Sequence, residues 1–262
     1  MTRTIVAVAL ACALAVPGYA DVTLKQTNTG KGLGMSGTTT STTYIKGLKM
    51  HVESVMGEKS NTTIFDVENQ KMYILDSNKK EADVWNMAAF SQEISQSVSV
   101  EGMRASIKPN GQKKPIAGHE TDGYDMEIVV PATLGGAGGM KITMMLTGPT
   151  WIAKGAPGSA EYAAFYRGAA EKGWIFTDPR AAKGSPGQAK AMAEMYTEFA
   201  RIGGVPYETQ MDIKPQADGA MGGLVSRMGG LSMTTTTDSV ETGALADDLF
   251  LPPADYKLNE KQ

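Results

Sequence analysis

Two histidines have the widest chemical range in this sequence, since an imidazole can bind a metal or transfer a proton. His51 lies near Glu53 in an alternating segment, and His119 precedes Glu120 and Asp122 in a turn. Catalytic zinc sites commonly use three protein ligands, often with more than one histidine. Two histidines in separate segments therefore favour solvated surface side chains, and we expect no metal site and no cofactor.

Motifs for nucleophilic or nucleotide chemistry are weak. G-x-S-x-G does not occur in the sequence. Gly32, Gly34 and Gly37 match G-x-G-x-x-G, but a dinucleotide site needs a strand before this motif and a helix after it. Asp247 and Asp248 are typical of a solvated turn. A serine and a histidine that are distant in the sequence can still meet in the fold, so the sequence leaves such a pair open. We otherwise expect no catalytic residue and no enzyme activity.

Methionine is abundant, at 17 residues, and its thioether suits Cu(I). Met144 and Met145 are neighbours on a predicted strand and therefore point to opposite faces. Met192 and Met195 share a helical face with aromatic residues. Both arrangements favour core packing over copper binding, although flexible methionines also line adaptable apolar cavities.

The N-terminus has the order of a secretory signal peptide. A basic start is followed by the apolar residues 5–16, a break at Pro17, and the small residue Ala20 at the expected cleavage point. The apolar run is shorter than the roughly 20 residues of a membrane-spanning helix. We predict removal of residues 1–20 and a periplasmic product without a transmembrane span. An uncleaved anchor is the alternative.

The net charge of the chain bears on which partners it can attract. The chain has 25 Lys and Arg against 28 Asp and Glu, a net charge of −3. Such a chain has no general attraction to nucleic acid or to an anionic membrane face. We expect no nucleic-acid partner, and peripheral contact with the cell envelope stays open.

Hydrophobic periodicity predicts the elements that must position these side chains. Period-two alternation from Thr43 onward predicts a β-meander, and strands return after a turn at Asn110-Gly111. Residues 26–43, rich in Gly, Thr and Ser, are expected to form a loop or a weak edge strand. Helical spacing predicts a short helix at 86–98 and a helical hairpin at about 159–202.

These elements predict an α+β, mostly β fold. Apolar strand faces would be buried in a curved antiparallel sheet, a half-open barrel, with the short helix and the hairpin on its concave side. We expect residues 21–258 to form one domain, followed by a polar tail at 259–262. The hairpin and the Gly-rich loop at 135–139 could act as a movable lid.

Several segments resemble a known family when they are taken in chain order. They are YIKGLKMHVES, TTIFDVENQKMYIL, KPIAGHETDGYDMEI, AEYAAFYRGAAEKG, GGVPYETQMDI and DDLFLPPADYKL. They resemble a periplasmic bacterial family catalogued as domain of unknown function 4412, which is similar to the LolA/LolB-like lipoprotein-carrier fold. The resemblance spans most of residues 43–258. It implies helices over a half-open barrel whose apolar interior receives acyl chains.

The predicted function is non-enzymatic binding or carriage of a hydrophobic small molecule, lipid or lipoprotein acyl chain. The residues expected to line the cavity are Phe65, Trp85, Met126, Ile128, Ile142, Met144 and Met211. A filled interior gives the same alternation as an open one. A structural or protein-interaction module of the envelope, with a packed core and no ligand, is therefore the alternative.

Overall fold

β-Strands dominate the fold. The structure is a computed structural model, and it describes residues 20–32, 35–97, 102–134, 140–217, 222–223 and 229–261. Residues 1–19 of the predicted signal peptide and the Gly-rich loop at 135–139 lie outside the described residues. The strands are β1 (Val22–Gly32), β2 (Met35–Lys46), β3 (Lys49–Met56), β4 (Lys59–Asp66), β5 (Lys71–Asp76), β6 (Glu81–Asn86), β7 (Arg104–Ile116), β8 (His119–Leu134), β9 (Met140–Ala153), β10 (Val205–Gln216), β11 (Leu231–Thr242) and β12 (Lys257–Lys261).

All twelve of these strands belong to one large curved sheet, in the order β12-β6-β5-β4-β3-β2-β1-β11-β10-β9-β8-β7. The mostly β prediction is confirmed. The half-open barrel needs correction, because the sheet is open, with β7 and β12 at opposite edges. One pair also departs from the predicted antiparallel pattern, since β12 runs parallel to β6.

The segment predicted as a loop or weak edge strand lies at the centre of the sheet. β1 pairs with β11 on one side and β2 on the other, and β2 continues to β3. Threonine favours strands because its branched side chain fits a pleated surface. The prediction failed because these strands carry few apolar residues, Val22 and Leu24 being the buried ones in β1.

The helices lie on one side of the sheet, here called the inner face. They are α1 (Met87–Ser97), α2 (Ser159–Glu171), α3 (Pro179–Ala182) and α4 (Pro186–Ile202). α2 packs against α4 and β2, α4 packs against β7 and β8, and α1 contacts α4 and β6. The short helix and the hairpin are therefore confirmed. None of the described helices is long and apolar enough to cross a membrane.

The predicted turn at Asn110-Gly111 is wrong. These residues form an irregularity inside β7, where the pairing with β8 shifts between Pro109 and Lys113. The chain reverses later, at Ala117 and Gly118, both of which have positive φ. An Asn-Gly pair suits a two-residue turn, but the same residues also suit a bulge in an edge strand.

The C-terminal segment covers part of the opposite side of the sheet, the outer face. A short 3-10 helix at Asp247–Phe250 packs against β3 and β4. Phe250 has no exposed surface, whereas Asp247 and Asp248 are exposed, as predicted for a solvated turn. Residues 259–261, expected to be a polar tail, instead belong to β12.

Candidate functional site

The structure separates the two histidines. His51 lies in β3 and His119 begins β8, and five strands lie between these two in the sheet. Among the described residues, no three His, Cys, Asp or Glu side chains converge in a way that could hold a metal ion. Met144 and Met145 lie on opposite faces of β9, and Met195 is buried in an apolar cluster below α4.

His51 is not the solvated side chain that its sequence context predicted. It is buried on the outer face, with its Nδ1 2.5 Å from the carbonyl oxygen of Leu249. A carbonyl can only accept, so Nδ1 carries the proton in this contact. Its Nε2 lies 3.4 Å from a Glu53 carboxylate oxygen. His51 therefore links β3 to the C-terminal segment. His119 is half-buried, with its ring 5.1 Å from that of Tyr207.

Strand register aligns the inner-face side chains of β1–β6 into rows that cross the strands. The first row, here called the deep row, is apolar throughout and packs against the helices. It comprises Val22, Ile45, Met50, Phe65, Met72 and Trp85.

Two further rows follow toward the open end of the strands, and polarity increases from one to the next. The middle row comprises Leu24, Thr43, Val52, Thr63, Ile74 and Asp83. The rim row crosses four strands and comprises Gln26, Ser41, Ser54 and Asn61. The inner face therefore changes from apolar to polar over the width of three side chains.

Aromatic rings from the helical hairpin face these rows and form what we call the aromatic wall: Tyr166, Phe176 and Tyr196. Tyr166 and Tyr196 stack with centroids 5.3 Å apart and an interplanar angle of 10°. Phe176 contacts Tyr196 at 4.8 Å and Phe65 of the deep row at 5.6 Å. Such ring contacts stabilise beyond area burial alone, so the wall holds the hairpin against the sheet.

A groove of about 240 Å³ separates the aromatic wall from the middle and rim rows. Met50 and Phe65 of the deep row lie at its base, and the rim row contributes amide and hydroxyl groups along its length. Its lining contains no charged side chain. The groove can therefore bury apolar atoms at its base and offer hydrogen bonds to uncharged polar atoms at its edge.

Burial also affects the tyrosine hydroxyls around this groove. It raises the pKa of Tyr166 and of Tyr196, and also that of Tyr162, whose ring lies 4.7 Å from Tyr166. Loss of solvation disfavours the phenolate in each case. The three hydroxyls are therefore neutral at neutral pH, which agrees with the uncharged lining of the groove.

These raised tyrosine pKa values predict a loss of stability in alkali. A raised pKa in the folded state contributes stability that is fully present below the unfolded value, about 10 for tyrosine, and is lost as pH rises above it. We expect the free energy of unfolding to fall above about pH 10, with the three hydroxyls ionising only as the fold opens. Tyrosinate absorbance and circular dichroism, followed together, would measure this.

A Tyr196→Phe variant provides the control, since it should remove one late-ionising group while the others still ionise with unfolding. Ionisation of every tyrosine with the ordinary tyrosine pKa of about 10, while the circular dichroism spectrum stays unchanged, would contradict the burial of this cluster.

The seven residues predicted to line a cavity lie in different places. Phe65 lines the groove. Trp85 is buried in the deep row, and Met126 and Ile128 pack against Met195 below α4. The remaining three lie on the inner face of β9 and β10, Ile142 being buried and Met144 and Met211 partly buried. A role for these residues as ligand contacts stays a prediction.

Comparisons with known proteins give no family assignment. No protein-family model matches the chain, and no curated protein matches it. The resemblance to the domain of unknown function 4412 stays a prediction.

Solved structures align with this chain at low sequence identity and low TM-score. One is PNGF-II, at 11% identity and a TM-score of 0.37, covering 92% of this chain; this chain spans 31% of the PNGF-II chain. Another is an outer membrane lipoprotein-sorting protein domain from Vibrio parahaemolyticus, at 10% identity and a TM-score of 0.31. The alignment covers 89% of this chain and 90% of that domain. A third is a DUF1329 family protein from Desulfovibrio piger, at 7% identity and a TM-score of 0.26. The alignment covers 90% of this chain and 91% of the other.

Proposed function

We propose that this protein is a periplasmic, non-enzymatic binding protein that holds the apolar part of an amphiphile, such as a lipid or lipoprotein acyl chain. The chain would lie in the groove between the inner face of the sheet and the aromatic wall. The observation that carries the proposal is the groove itself, an open volume of about 240 Å³ lined by Met50, Phe65 and the three rings of the aromatic wall.

The graded rows support an amphiphile over a wholly apolar ligand. Methylene groups at the base would contact the deep row, and each one buried would contribute about 0.8 kcal/mol. Polar atoms at the mouth would meet Gln26, Ser41, Ser54 and Asn61, so they would not lose hydrogen bonds on entry. A ligand that is polar at one end matches this surface along its whole length.

The size of the groove limits what can enter. Pockets for drug-sized ligands usually measure about 300–1,000 Å³, and this groove is smaller, at about 240 Å³. We therefore expect it to hold one short chain or one end of a longer chain. The hairpin that carries Tyr166 and Tyr196 would be the lid whose movement admits longer chains.

Filling the groove should abolish binding. Ser54 lies in the rim row on the inner face of β3, so Ser54→Trp would place an indole in the groove. We expect wild-type protein to bind a fluorescent fatty-acid probe at micromolar concentration and Ser54→Trp to bind it about tenfold more weakly or worse. A fluorescence titration of the purified variants measures both values.

Val55→Trp is the matched control, because Val55 is the next residue of β3, is 46% exposed and points to the outer face. It should bind the probe like the wild type. Thermal unfolding of both variants shows whether they fold equally well. Equal binding by the two variants, or no saturable binding by wild-type protein, would refute the proposal.

A structural or interaction module without a ligand is the second candidate. It is favoured by the packed cluster below α4, where Met126 and Ile128 of the predicted cavity meet Ala191 and Met195 without belonging to the groove. Failure of the probe titration would favour this candidate, since a packed module needs no apolar ligand.

A further inference from the structure

A second cleft lies on the inner face beside the groove, over β4, β5 and β6, and has a volume of about 340 Å³. Its floor follows from the strand register, in which Ile74 is opposite Asp83 and Asp76 is opposite Glu81. Arg180 of α3 lies above this floor, and Lys79 lies at the turn between β5 and β6. We call this the charged cleft.

The charged cleft and the groove are adjacent. Asn61 of the rim row lines both. In addition, Thr63 lines the groove and Ile74 lines the charged cleft, and these two residues are directly opposite each other on β4 and β5. One elongated ligand can therefore contact the apolar base of the groove and the charged cleft together.

Each carboxylate of the charged cleft lies near a basic side chain. Asp76 lies 2.9 Å from Lys79, whose hydrogen bond lowers the Asp76 pKa. Asp83 lies 3.1 Å from Lys261 and 3.9 Å from Arg180, and Glu81 lies 3.5 Å from Lys257. Every one of these carboxylates has a cationic neighbour, so the cleft suits a ligand with both signs of charge better than a bare cation.

The Arg180–Asp83 pair is the loosest of these contacts. Its atoms are 3.9 Å apart, beyond hydrogen-bond reach, because Asp178 holds Nε and Nη2 of Arg180 in a two-pronged contact at 3.0 and 2.6 Å. Lys261 lies against Oδ1 of Asp83, so the other carboxylate oxygen, Oδ2, and the remaining Arg180 donors line the charged cleft side by side. An anion beside Arg180 and an ammonium beside Asp83 would each gain a charge-assisted hydrogen bond.

From this geometry we infer that the ligand is a zwitterionic amphiphile. Its anionic group would lie beside Arg180, its ammonium group beside Asp83, and its chain in the groove. This inference rests on the proposed function, since the chain must bind in the groove for the head group to reach the charged cleft.

Competition among amphiphiles with the same chain tests the head group. The competitors are lauroyl lysophosphatidylethanolamine, which is zwitterionic, lauroyl lysophosphatidylglycerol, which is anionic, and monolaurin, which is uncharged. Each would displace the fluorescent fatty-acid probe from wild-type protein. We expect the zwitterion to displace it at about fivefold lower concentration than either other competitor, because partly solvated charge pairs contribute modestly.

Variants connect this preference to the charged cleft. Asp83→Asn should raise the zwitterion's midpoint to that of the anionic competitor, and Arg180→Gln should raise it toward that of monolaurin. Glu260→Gln, at an exposed position of β12 on the outer face, is the matched control and should change nothing. Thermal unfolding of each variant checks the fold.

The outcomes separate the two proposals. Saturable probe binding with equal midpoints for the three competitors, or with the anionic competitor preferred, would overturn the zwitterion inference and leave the groove as the chain site. A zwitterion preference that survives both Asp83→Asn and Arg180→Gln would overturn it as well. No saturable binding of the probe or of any competitor would overturn both proposals.

Discussion

Replacing Phe250 with alanine is expected to lower the free energy of unfolding by about 3–5 kcal/mol, the usual cost of removing a buried aromatic ring. Phe250 has no exposed surface and ends the 3-10 helix that packs on the outer face of β3 and β4. The lost ring leaves a cavity that the paired strands beneath cannot collapse to fill. Urea unfolding, followed by circular dichroism, measures the change.

Leu251→Ala is the matched control, because Leu251 is the next residue and is 52% exposed. We expect it to change stability by no more than about 0.5 kcal/mol. Probe binding by Phe250→Ala at low temperature should equal that of the wild type, since Phe250 and the groove lie on opposite faces of the sheet. A loss below about 1 kcal/mol would show that the C-terminal segment is not a structural part of the domain.

The strands with a clear apolar face were predictable from the sequence. Met50 and Val52 alternate with polar residues in β3, and both point to the inner face as the pattern predicts. β1 and β2 were not predictable in this way, because Gln26 and Ser41 occupy inner-face positions that an apolar pattern would require. Hydrogen bonding on both edges holds these strands at the centre of the sheet, and that pairing depends on distant partners.

The environment of His51 could not be inferred from its neighbours in sequence. Alternation placed it correctly on the face opposite Met50. The prediction that this face is solvated failed because Leu249, far along the chain, brings the C-terminal segment over it. A local pattern indicates which face a side chain takes, but another element decides whether that face meets water.

The candidate groove shows the same limit. Of the predicted lining, Phe65 does reach the groove, whereas Met126 and Ile128 point inward and meet α4. The rim row was missed because its members are ordinary polar residues until the register of β1–β4 aligns them. Volume between the sheet and helices depends on how closely the helices and strands approach, and periodicity carries no information on that distance.

Gly148→Ala is expected to lower the free energy of unfolding by about 3 kcal/mol, because two costs add. Gly148 has φ +155° in β9, a conformation that residues with a side chain rarely adopt. A Cβ atom there would also lie 2.1 Å from the backbone carbonyl oxygen of Gln210 in β10. Backbone cannot rotate away as a side chain can, so the two strands would have to separate. Urea unfolding measures the loss.

Gly30→Ala is the control that separates this steric effect from the general effect of replacing glycine in a strand. Gly30 lies in β1, and a Cβ atom there would have no neighbour within 4 Å. It should leave stability unchanged or raise it by up to about 1 kcal/mol, since alanine restricts the unfolded chain. Similar losses for the two variants would mean that the close approach of β9 and β10 is not what requires glycine at position 148. A loss confined to Gly148→Ala would show that the close approach of β9 and β10 is what requires glycine at position 148.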